Sequence, residues 1–264
     1  MCRLAHPKLM KKAAFVLSLI LLVSTLGGHA ISAKAQDTKI YWGLSGYGNE
    51  QTPSPPTGAA EMLSKYGGMY VGDTAQKNIY LTFDLGYEAG HTAAVLDILK
   101  SNDIRAIFFL CSHYLGETQL VDRMISEGHT IGNHTDRHKD LPTLSEDGIR
   151  EDIQGFDTKY KESGHTDTLS FFRPPCGTFD ERTLRIAKEE FGLSTIMWSI
   201  AIKDWGKTPI DAVSSSDTLL KRIHPGAIIL LHISNAGTPP MLERFVNNAL
   251  SQGYSFGTPC QLSA

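Results

Sequence analysis

The stretch "IYLTFDLGYEAG", residues 79–90, decides how the fold of this chain is interpreted. Its first half is an apolar, β-rich run that predicts a buried strand, Ile79–Asp84, ending in an aspartate. The next side chain is Leu85, at a point where a second carboxylate would form an obvious acidic pair. The strand therefore delivers one carboxylate at its tip, so any chemistry there must involve residues from elsewhere in the chain.

From Ile79 onward, apolar β-rich runs alternate with amphipathic helical stretches, a pattern typical of βα units in a parallel sheet or barrel. The predicted helices lie in residues 91–102, 118–128, 145–163 and 180–192. The predicted strands are Ile79–Asp84, Ala106–Cys111, Thr130–Thr135, Ser170–Pro174, Ser194–Ile200, Ala227–Ile233 and Tyr254–Thr258. Seven strands with helices between them favour a distorted, incomplete (β/α) barrel of the α/β class over an open sheet.

Length and composition bound the architecture and the partners. The 264 residues, 41% of them hydrophobic, suffice for one main domain with a sizeable core. The formal net charge of -3 and the absence of long lysine or arginine runs argue against nucleic acid as a partner.

Three segments are predicted along the chain. Basic residues, an apolar run at 13–26 and small residues at 33–35 predict a secretory signal over residues 1–35, with an uncleaved membrane anchor as the alternative. Residues 36–78 are predicted to be a Gly- and Pro-rich extension with a short helix in "AAEMLSKYGG", and residues 79–264 to be the main domain.

The cysteines do not suggest a disulfide-stapled protein. Cys2 lies in the predicted signal, which leaves Cys111, Cys176 and Cys260 in the mature chain. Three cysteines cannot form an even framework, so buried free cysteines are expected, with one disulfide and one free thiol as the alternative.

Reactive side chains recur at the predicted strand ends. Asp84, His134, Arg173 and His232 each lie at or just after the C-terminal end of a different predicted strand. In a parallel barrel these ends open on one face, where active sites are built. The sequence therefore predicts that the four side chains meet.

The run "HTDRH" places His134 and His138 four residues apart, close enough for both imidazoles to approach one divalent cation. The pattern is not that of zinc-protease helices, since no glutamate follows the first histidine. Taken alone such a pair is more often accidental, but its place at a strand end favours a metal site.

The remaining polar groups suit acid–base chemistry. In "FFRPPCG" two prolines hold Arg173 on a rigid turn, from which the guanidinium can pair with Asp84, although a solvated arginine is the simpler alternative. Asp204 in "IKDW" can orient His232 at the end of "AIILLH" as a general acid. Without these neighbours, His232 would be read as an ordinary core histidine.

The ordered set "TFDLG", "HTDRH", "RPPCG", "IKDW" and "LLH" resembles the five motifs of the polysaccharide deacetylase family, also called the NodB-homology or carbohydrate esterase family 4 domain. The resemblance runs from Ile79 to the C-terminus. It is strongest to the bacterial spore subgroup that makes muramic-δ-lactam in cortex peptidoglycan, through "KYGGMYVGDT", "EGHTIGNHT" and the residues around "RPPCG".

This resemblance implies metal-assisted removal of an acetyl group from an N-acetylated sugar. Asp84 would be the base, tethered by Arg173, and His134 with His138 would hold the metal. His232, oriented by Asp204, would protonate the leaving amine. The resemblance further implies that Trp205, Tyr87, Pro175 and Gly177 contact the substrate, and the aromatic rings of Trp205, Tyr87 and Phe179 suit stacking against sugars.

Three positions depart from the family's usual pattern. Leu85 replaces the usual second aspartate, which implies a weakly held metal, with zinc first and cobalt or manganese as alternatives. Asp84, Asp136 or waters would complete the ligand shell. Ala201 replaces an additional aspartate, and Cys176 stands where a larger side chain is common and is interpreted as a small space-filling residue.

The sequence thus predicts an exported, monomeric N-deacetylase that acts on N-acetylmuramic acid in the peptidoglycan glycan strand, in the cell wall or spore cortex, with membrane contact only through its signal segment. A deacetylase of chitin-like glycan, xylan or N-acetylglucosamine is the first alternative. A non-catalytic glycan-binding relative is the second, and binding without turnover would distinguish it.

Overall fold

The structure, a computed structural model, describes residues 38–206 and 208–262. The predicted signal, residues 1–35, lies outside the described residues. In chain order the strands are β1 (Ile40–Tyr41), β2 (Asn78–Leu85), β3 (Ile107–Leu110), β4 (Thr130–Asn133), β5 (Phe171–Phe172), β6 (Thr178–Phe179), β7 (Ser194–Thr195), β8 (Ile200–Ala201), β9 (Ile228–His232) and β10 (Ser255–Phe256).

Helices occupy most of the connections between the strands. They are α1 (Ala59–Lys65), α2 (Thr92–Ser101), α3 (Thr118–Ser126), α4 (Glu146–Glu162), α5 (Glu181–Arg185), α6 (Ala212–Arg222) and α7 (Thr238–Ser251). Short 3-10 turns lie at Ser112–Gly116, Leu141–Thr143, Pro175–Gly177 and Pro259–Leu262. The predicted helix over residues 180–192 is regular only through α5 and ends in a π-helical turn, Ile186–Glu190.

Seven strands lie side by side in the order β7-β5-β4-β3-β2-β9-β8, and every neighbouring pair is parallel. β10 pairs in parallel with the first residues of β2, while β1 and β6 form a separate antiparallel pair. This curled parallel sheet with its helices confirms the predicted incomplete (β/α) barrel.

The predicted single strand Ser194–Ile200 is wrong, because this run forms two short strands at opposite edges of the sheet. β7 pairs with β5, and β8 pairs with β9. Between them the backbone N–H of Ile196 donates to the carbonyl of Phe172, and that of Ser199 donates to the carbonyl of Ile228. The run changes partner halfway and links the two edges of the curl, so it cannot remain one regular strand.

The two faces of β2 have different surroundings. Leu81, Phe83 and Leu85 pack into the large core between the sheet and the helices. Tyr80 belongs to a separate apolar cluster inside the curl. Since side chains alternate along a strand, Asp84 lies on the same inner face as Tyr80. Both faces are covered, which accounts for the nearly continuous apolar run of the sequence.

The predicted extension packs directly against the barrel. Trp42 and Leu63 share an apolar cluster with Phe179, Leu184 and Met197. The described residues accordingly fall within one compact unit, and the division at residue 79 stays a prediction about segment roles. Across residues 38–206 and 208–262, no helix is both long and apolar enough to cross a bilayer.

Candidate active site

The four side chains predicted to meet do so at the C-terminal edge of the sheet. Asp84 is the penultimate residue of β2, and His232, its register partner, ends β9. His134 directly follows β4, and Arg173 directly follows β5. Because the four strands belong to one parallel sheet, their ends bring these groups together at one edge.

Arg173 holds Asp84 from inside the barrel. The fully buried guanidinium donates through Nη1 to Asp84 Oδ1 at 2.7 Å and to Thr82 Oγ1 at 2.9 Å. Its Nε donates to the carbonyl of Ile196 at 2.8 Å, and its Cζ atom lies 4.2 Å from the centroid of the Phe109 ring. These contacts fix the guanidinium, so Asp84 Oδ1 is engaged and Oδ2 is left for other partners.

The charges around Asp84 keep it ionised. Burial alone would raise the pKa of its carboxyl group, but the charge of Arg173 and the nearby imidazoles of His134 and His232 outweigh burial and hold the pKa below its usual range. Asp84 is therefore an anion at neutral pH, although burial opposes its charge.

His134 is held in one tautomer. Its Nδ1 lies 2.8 Å from the carbonyl oxygen of Arg173, which can only accept, so Nδ1 carries the proton. The lone pair is then on Nε2, which lies 3.6 Å from Asp84 Oδ2. Burial lowers the pKa of His134 to about 4, so the ring is neutral at pH 7. A backbone carbonyl that orients a histidine in this way is typical of metal ligands.

His138 comes close to His134 through an unusual backbone. The two ring centroids are 5.0 Å apart, and both Thr135 and His138 adopt left-handed conformations, with φ of 70° and 53°. The Thr135 hydroxyl accepts the N–H of His138 at 3.1 Å. Strained non-glycine residues of this kind concentrate at functional sites.

A third donor lies beside the two histidines. One ligand atom each from Cys111, His134 and His138 lie within 4.8 Å of one another. Two imidazoles and a thiol form a donor set that suits zinc or cobalt, so the residues present fit the divalent metal that the sequence predicts. The prediction treated Cys111 only as a buried free cysteine, and the signal that would have revealed it is its position at the end of β3.

Asp136 does not complete this donor set, contrary to the expectation. Its Oδ1 accepts from Lys159 Nζ at 2.6 Å, and its side chain packs over Gly155 on α4. Leu85 is 3% exposed and borders the cleft without a donor atom. Neither residue supplies the third ligand.

His232 and Asp204 form the second acid–base pair. The fully buried Asp204 accepts from His232 Nδ1 at 2.8 Å and from its backbone N–H at 2.6 Å. Burial alone would lower the pKa of His232, but the hydrogen bond and charge of Asp204, together with the charge of Asp84, raise it above the ordinary value. His232 Nε2 is left for a partner in the cleft.

The cleft above these groups has a volume of about 660 Å³. Tyr87 and Trp205, predicted to contact substrate, line it with 57% and 55% of their surfaces exposed. His113 and Ser234 also line it and were missed, because each lies just after a strand in a stretch without a recognisable motif.

The other residues predicted to contact the substrate lie outside the cleft. Pro175 and Gly177 are buried, and a Cβ on Gly177 would meet the Trp198 ring, so the structure does not bring these two residues into the cleft. The predicted stacking role of Phe179 is wrong because its ring is fully buried. The interpretation of Cys176 as space-filling is also wrong, since the residue is exposed with φ of 61°.

The structure gives the bonding state and the burial of the three cysteines among the described residues. Cys111, Cys176 and Cys260 are all free, but only Cys111 is buried, which corrects the expectation of three buried thiols. Partial burial of the sulfur, followed by the negative charge of Asp140, raises the pKa of Cys176, so this thiol is not an activated nucleophile.

Comparisons with known proteins agree with this geometry. The polysaccharide deacetylase family model matches residues 71–195. Peptidoglycan-N-acetylmuramic acid deacetylase PdaA of Bacillus subtilis is 37% identical over 233 residues, which are 87% of this chain and 88% of that protein. The solved structure of PdaA, described as a family 4 carbohydrate esterase, matches with a TM-score of 0.80 over 86% of this chain and 97% of the other. An uncharacterised protein of Geobacillus stearothermophilus is 40% identical over 85% of each chain.

The chain belongs to the polysaccharide deacetylase family, carbohydrate esterase family 4. It is a polysaccharide deacetylase, a hydrolase of amide bonds from a family of metal-dependent enzymes.

Proposed function

We propose that this protein removes the acetyl group from N-acetylmuramic acid residues of peptidoglycan, as a step toward muramic-δ-lactam in spore cortex. The observation that carries the proposal is the placement of two opposed pairs, Asp84 with Arg173 and His232 with Asp204, at paired strand ends. The similarity to a peptidoglycan-N-acetylmuramic acid deacetylase supports the choice of substrate.

Asp84 acts as the general base in this proposal. Arg173 engages Oδ1, so Oδ2 takes a proton from a water molecule in the cleft. The water oxygen forms a bond to the acetyl carbonyl carbon as the proton leaves. Because the carboxylate is ionised and held in place, little reorganisation is needed at this step.

His232 acts as the general acid. The carbon–nitrogen bond breaks as the imidazolium gives its Nε2 proton to the leaving nitrogen, so the products are a free amine and acetic acid, which ionises to acetate by losing a proton to solvent. Asp204 holds Nδ1 and, by raising the pKa of His232, favours the protonated imidazole before the step. The proton that Asp84 gained returns through solvent to His232, which restores the starting state.

His134 and His138 would hold the metal, zinc first and cobalt or manganese as alternatives. A bound divalent cation would polarise the acetyl carbonyl and stabilise the charge that develops on its oxygen. The neutral state of His134 and its fixed tautomer prepare this side of the cleft for such an ion.

The cleft suits a glycan strand. The exposed rings of Tyr87 and Trp205 offer faces on which sugars can stack. Trp205 also lines a second depression of about 500 Å³, together with residues that include Lys203 and Arg222. A polymer can extend across Trp205 from one depression to the other, and the two cations suit the carboxylates of peptide-stripped muramic acid.

We further propose that the protein works outside the cytoplasmic membrane, in the cell wall or spore cortex. Support comes from the basic and apolar pattern of residues 1–35 and from the chemistry of the substrate.

The direct test is acetate release from peptide-stripped peptidoglycan by purified protein, after chelation and with zinc, cobalt or manganese restored. We expect release to depend on metal and to fall at least about 100-fold in Asp84→Asn. Asp97→Asn serves as the control, because that carboxylate is exposed on α2 and pairs only with Arg123 among the described contacts.

Three results would each contradict a part of the proposal. Release at the parent rate by Asp84→Asn would remove the assigned base. Glycan binding without release under any metal condition would identify a non-catalytic binding protein. Faster release from chitin oligosaccharides or acetylated xylan, measured in parallel, would assign the other substrate class.

A further inference from the structure

Cys111 lies where the ligand shell of the proposed metal is incomplete. It directly follows β3, and its backbone N–H donates to the carbonyl of Leu85 at 3.0 Å. The cysteine therefore lies beside the position that carries a leucine instead of a carboxylate. Its sulfur and one nitrogen from each of His134 and His138 are mutually within 4.8 Å.

The described residues leave few rivals for a third ligand. Leu85 has no donor atom, and Asp136 is paired with Lys159 on α4. Asp84 is near, but Arg173 engages its Oδ1 and its Oδ2 is needed as the base. Hydrolytic zinc sites generally have three protein ligands and one open position, so two histidines alone would leave the site one ligand short.

We propose that Cys111 is the third metal ligand, giving a Cys-His-His site in which a thiolate replaces the carboxylate that Leu85 does not provide. This inference rests on the proposed metal dependence and goes beyond it by naming the ligand. The sulfur now contacts the carbonyl oxygen of His134 at 3.3 Å as an S–H donor. On metal binding the S–H bond breaks, its proton passes to solvent, and sulfur bonds to the cation.

The nature of this ligand has a consequence for metal choice. Thiolate sulfur is a soft ligand that favours zinc and cobalt over manganese and magnesium. A carboxylate at the same place would discriminate less. The site is therefore expected to prefer zinc and cobalt more strongly than a site with one carboxylate and two histidines.

The competing interpretation is that Cys111 is a small buried residue whose thiol only donates to a carbonyl. The variant Cys111→Ser distinguishes the role of metal ligand from the role of buried packing residue. Serine nearly matches the size of cysteine and keeps the hydrogen bond to His134, but it does not provide a thiolate. If packing is the whole role, the substitution leaves metal binding unchanged.

The test is titration of the metal-free protein with Co²⁺ alone, followed by absorption spectroscopy. We expect a near-ultraviolet thiolate-to-cobalt charge-transfer band at one equivalent, together with visible bands of the metal. Cys111→Ser should lose the charge-transfer band and keep the visible bands. It should also bind Zn²⁺ at least about tenfold more weakly, and Mn²⁺ with a smaller loss.

A second variant keeps the test decisive if Cys111→Ser does not fold. Replacing the other cysteines, C2S, C176S and C260S, leaves Cys111 as the single thiol, and this variant should retain the full band. A cobalt complex without the band, retention of the band in Cys111→Ser, or failure to bind Co²⁺ would each overturn the inference.

The cobalt titration and the acetate-release assay can fail independently, so the ligand role of Cys111 and the proposed function are tested separately. Metal-dependent acetate release without the charge-transfer band would reject Cys111 as a ligand and leave the deacetylase intact. The band without acetate release from any glycan would support the ligand and reject the proposed activity.

Discussion

The ionisation state of Asp84 depends on which side of β2 it faces. On the inner face it meets the buried guanidinium of Arg173 at 2.7 Å, whereas the next residue, Leu85, belongs to the core beneath the helices. A carboxylate on that outer side would need a partner in apolar surroundings. One strand thus gives two adjacent positions opposite environments, and Asp84 is the one that can remain charged.

The protonation of His232 depends on Asp204. In Asp204→Asn the negative charge is lost, so the pKa of His232 falls, since Asp204 raises it. A general acid must be protonated, and the alkaline limb of the pH–rate profile follows its pKa. We therefore expect the alkaline limb of acetate release to move to lower pH and the rate at pH 8 to fall at least about tenfold.

A matched control for this prediction is Asp217→Asn, on α6. Asp217 is about half exposed and pairs with Arg244, away from the residues assigned to catalysis. The pH–rate profile of the Asp217→Asn variant should match that of the parent protein. If Asp204→Asn kept the alkaline limb of the parent, the assignment of His232 as the acid would be wrong.

At the scale of elements, the sequence was most informative about strand ends. A parallel sheet places the C-terminal ends of its strands on one edge, so Asp84, His134, Arg173 and His232 could be grouped without coordinates. The path of residues 194–201 could not be predicted, because its apolar composition suits one buried strand as well as two short ones. Only the curl of the sheet decides between them.

Arg173 ties several elements together at this edge. Its side chain bonds β2 through Asp84 and Thr82, and the connection between β7 and β8 through the carbonyl of Ile196. In Arg173→Lys a single ammonium cannot reach all these partners. We expect a loss of about 2 kcal/mol in the free energy of unfolding, because buried acceptors lose their donors. Acetate release should fall at least about 100-fold.

Urea unfolding and acetate release measure the two effects separately. Arg123→Lys is the control, since Arg123 forms partly exposed ion pairs on α3 and should lose less than about 1 kcal/mol. Parent-like activity in a folded Arg173→Lys protein would show that orientation of Asp84 by the guanidinium is not required.

The loop after β8 presents Trp205 between the two depressions. If sugars stack on its ring, Trp205→Ala should raise the KM for glycan by about two- to tenfold, the equivalent of about 0.5–1.5 kcal/mol of aromatic contact. The kcat should change little, because Trp205 touches none of the reacting groups. Leu250→Ala, an exposed apolar residue on α7, should leave the KM unchanged. A fall in kcat alone would contradict a stacking role.

At the scale of the whole molecule, distant pairings were not predictable. The Gly- and Pro-rich segment before β2 has no sustained period, so the sequence predicted only an extension with a short helix. In the structure Trp42 Nε1 donates to the carbonyl of Trp198 at 3.0 Å, across 156 residues. Cys111 also lies at a strand end, and it was missed as a candidate ligand because it was interpreted only as a buried free cysteine.

The segment around Trp42 should therefore stabilise the barrel and not only cover it. The Trp42 ring lies 6.5 Å from that of Trp198, which in turn lies 5.6 Å from the guanidinium of Arg173. We expect Trp42→Ala to lower the free energy of unfolding by about 3–5 kcal/mol through loss of buried contacts. Tyr41→Ala is the control, because that side chain is 69% exposed. Equal urea midpoints for the two variants would show that the segment packs on the barrel without stabilising it.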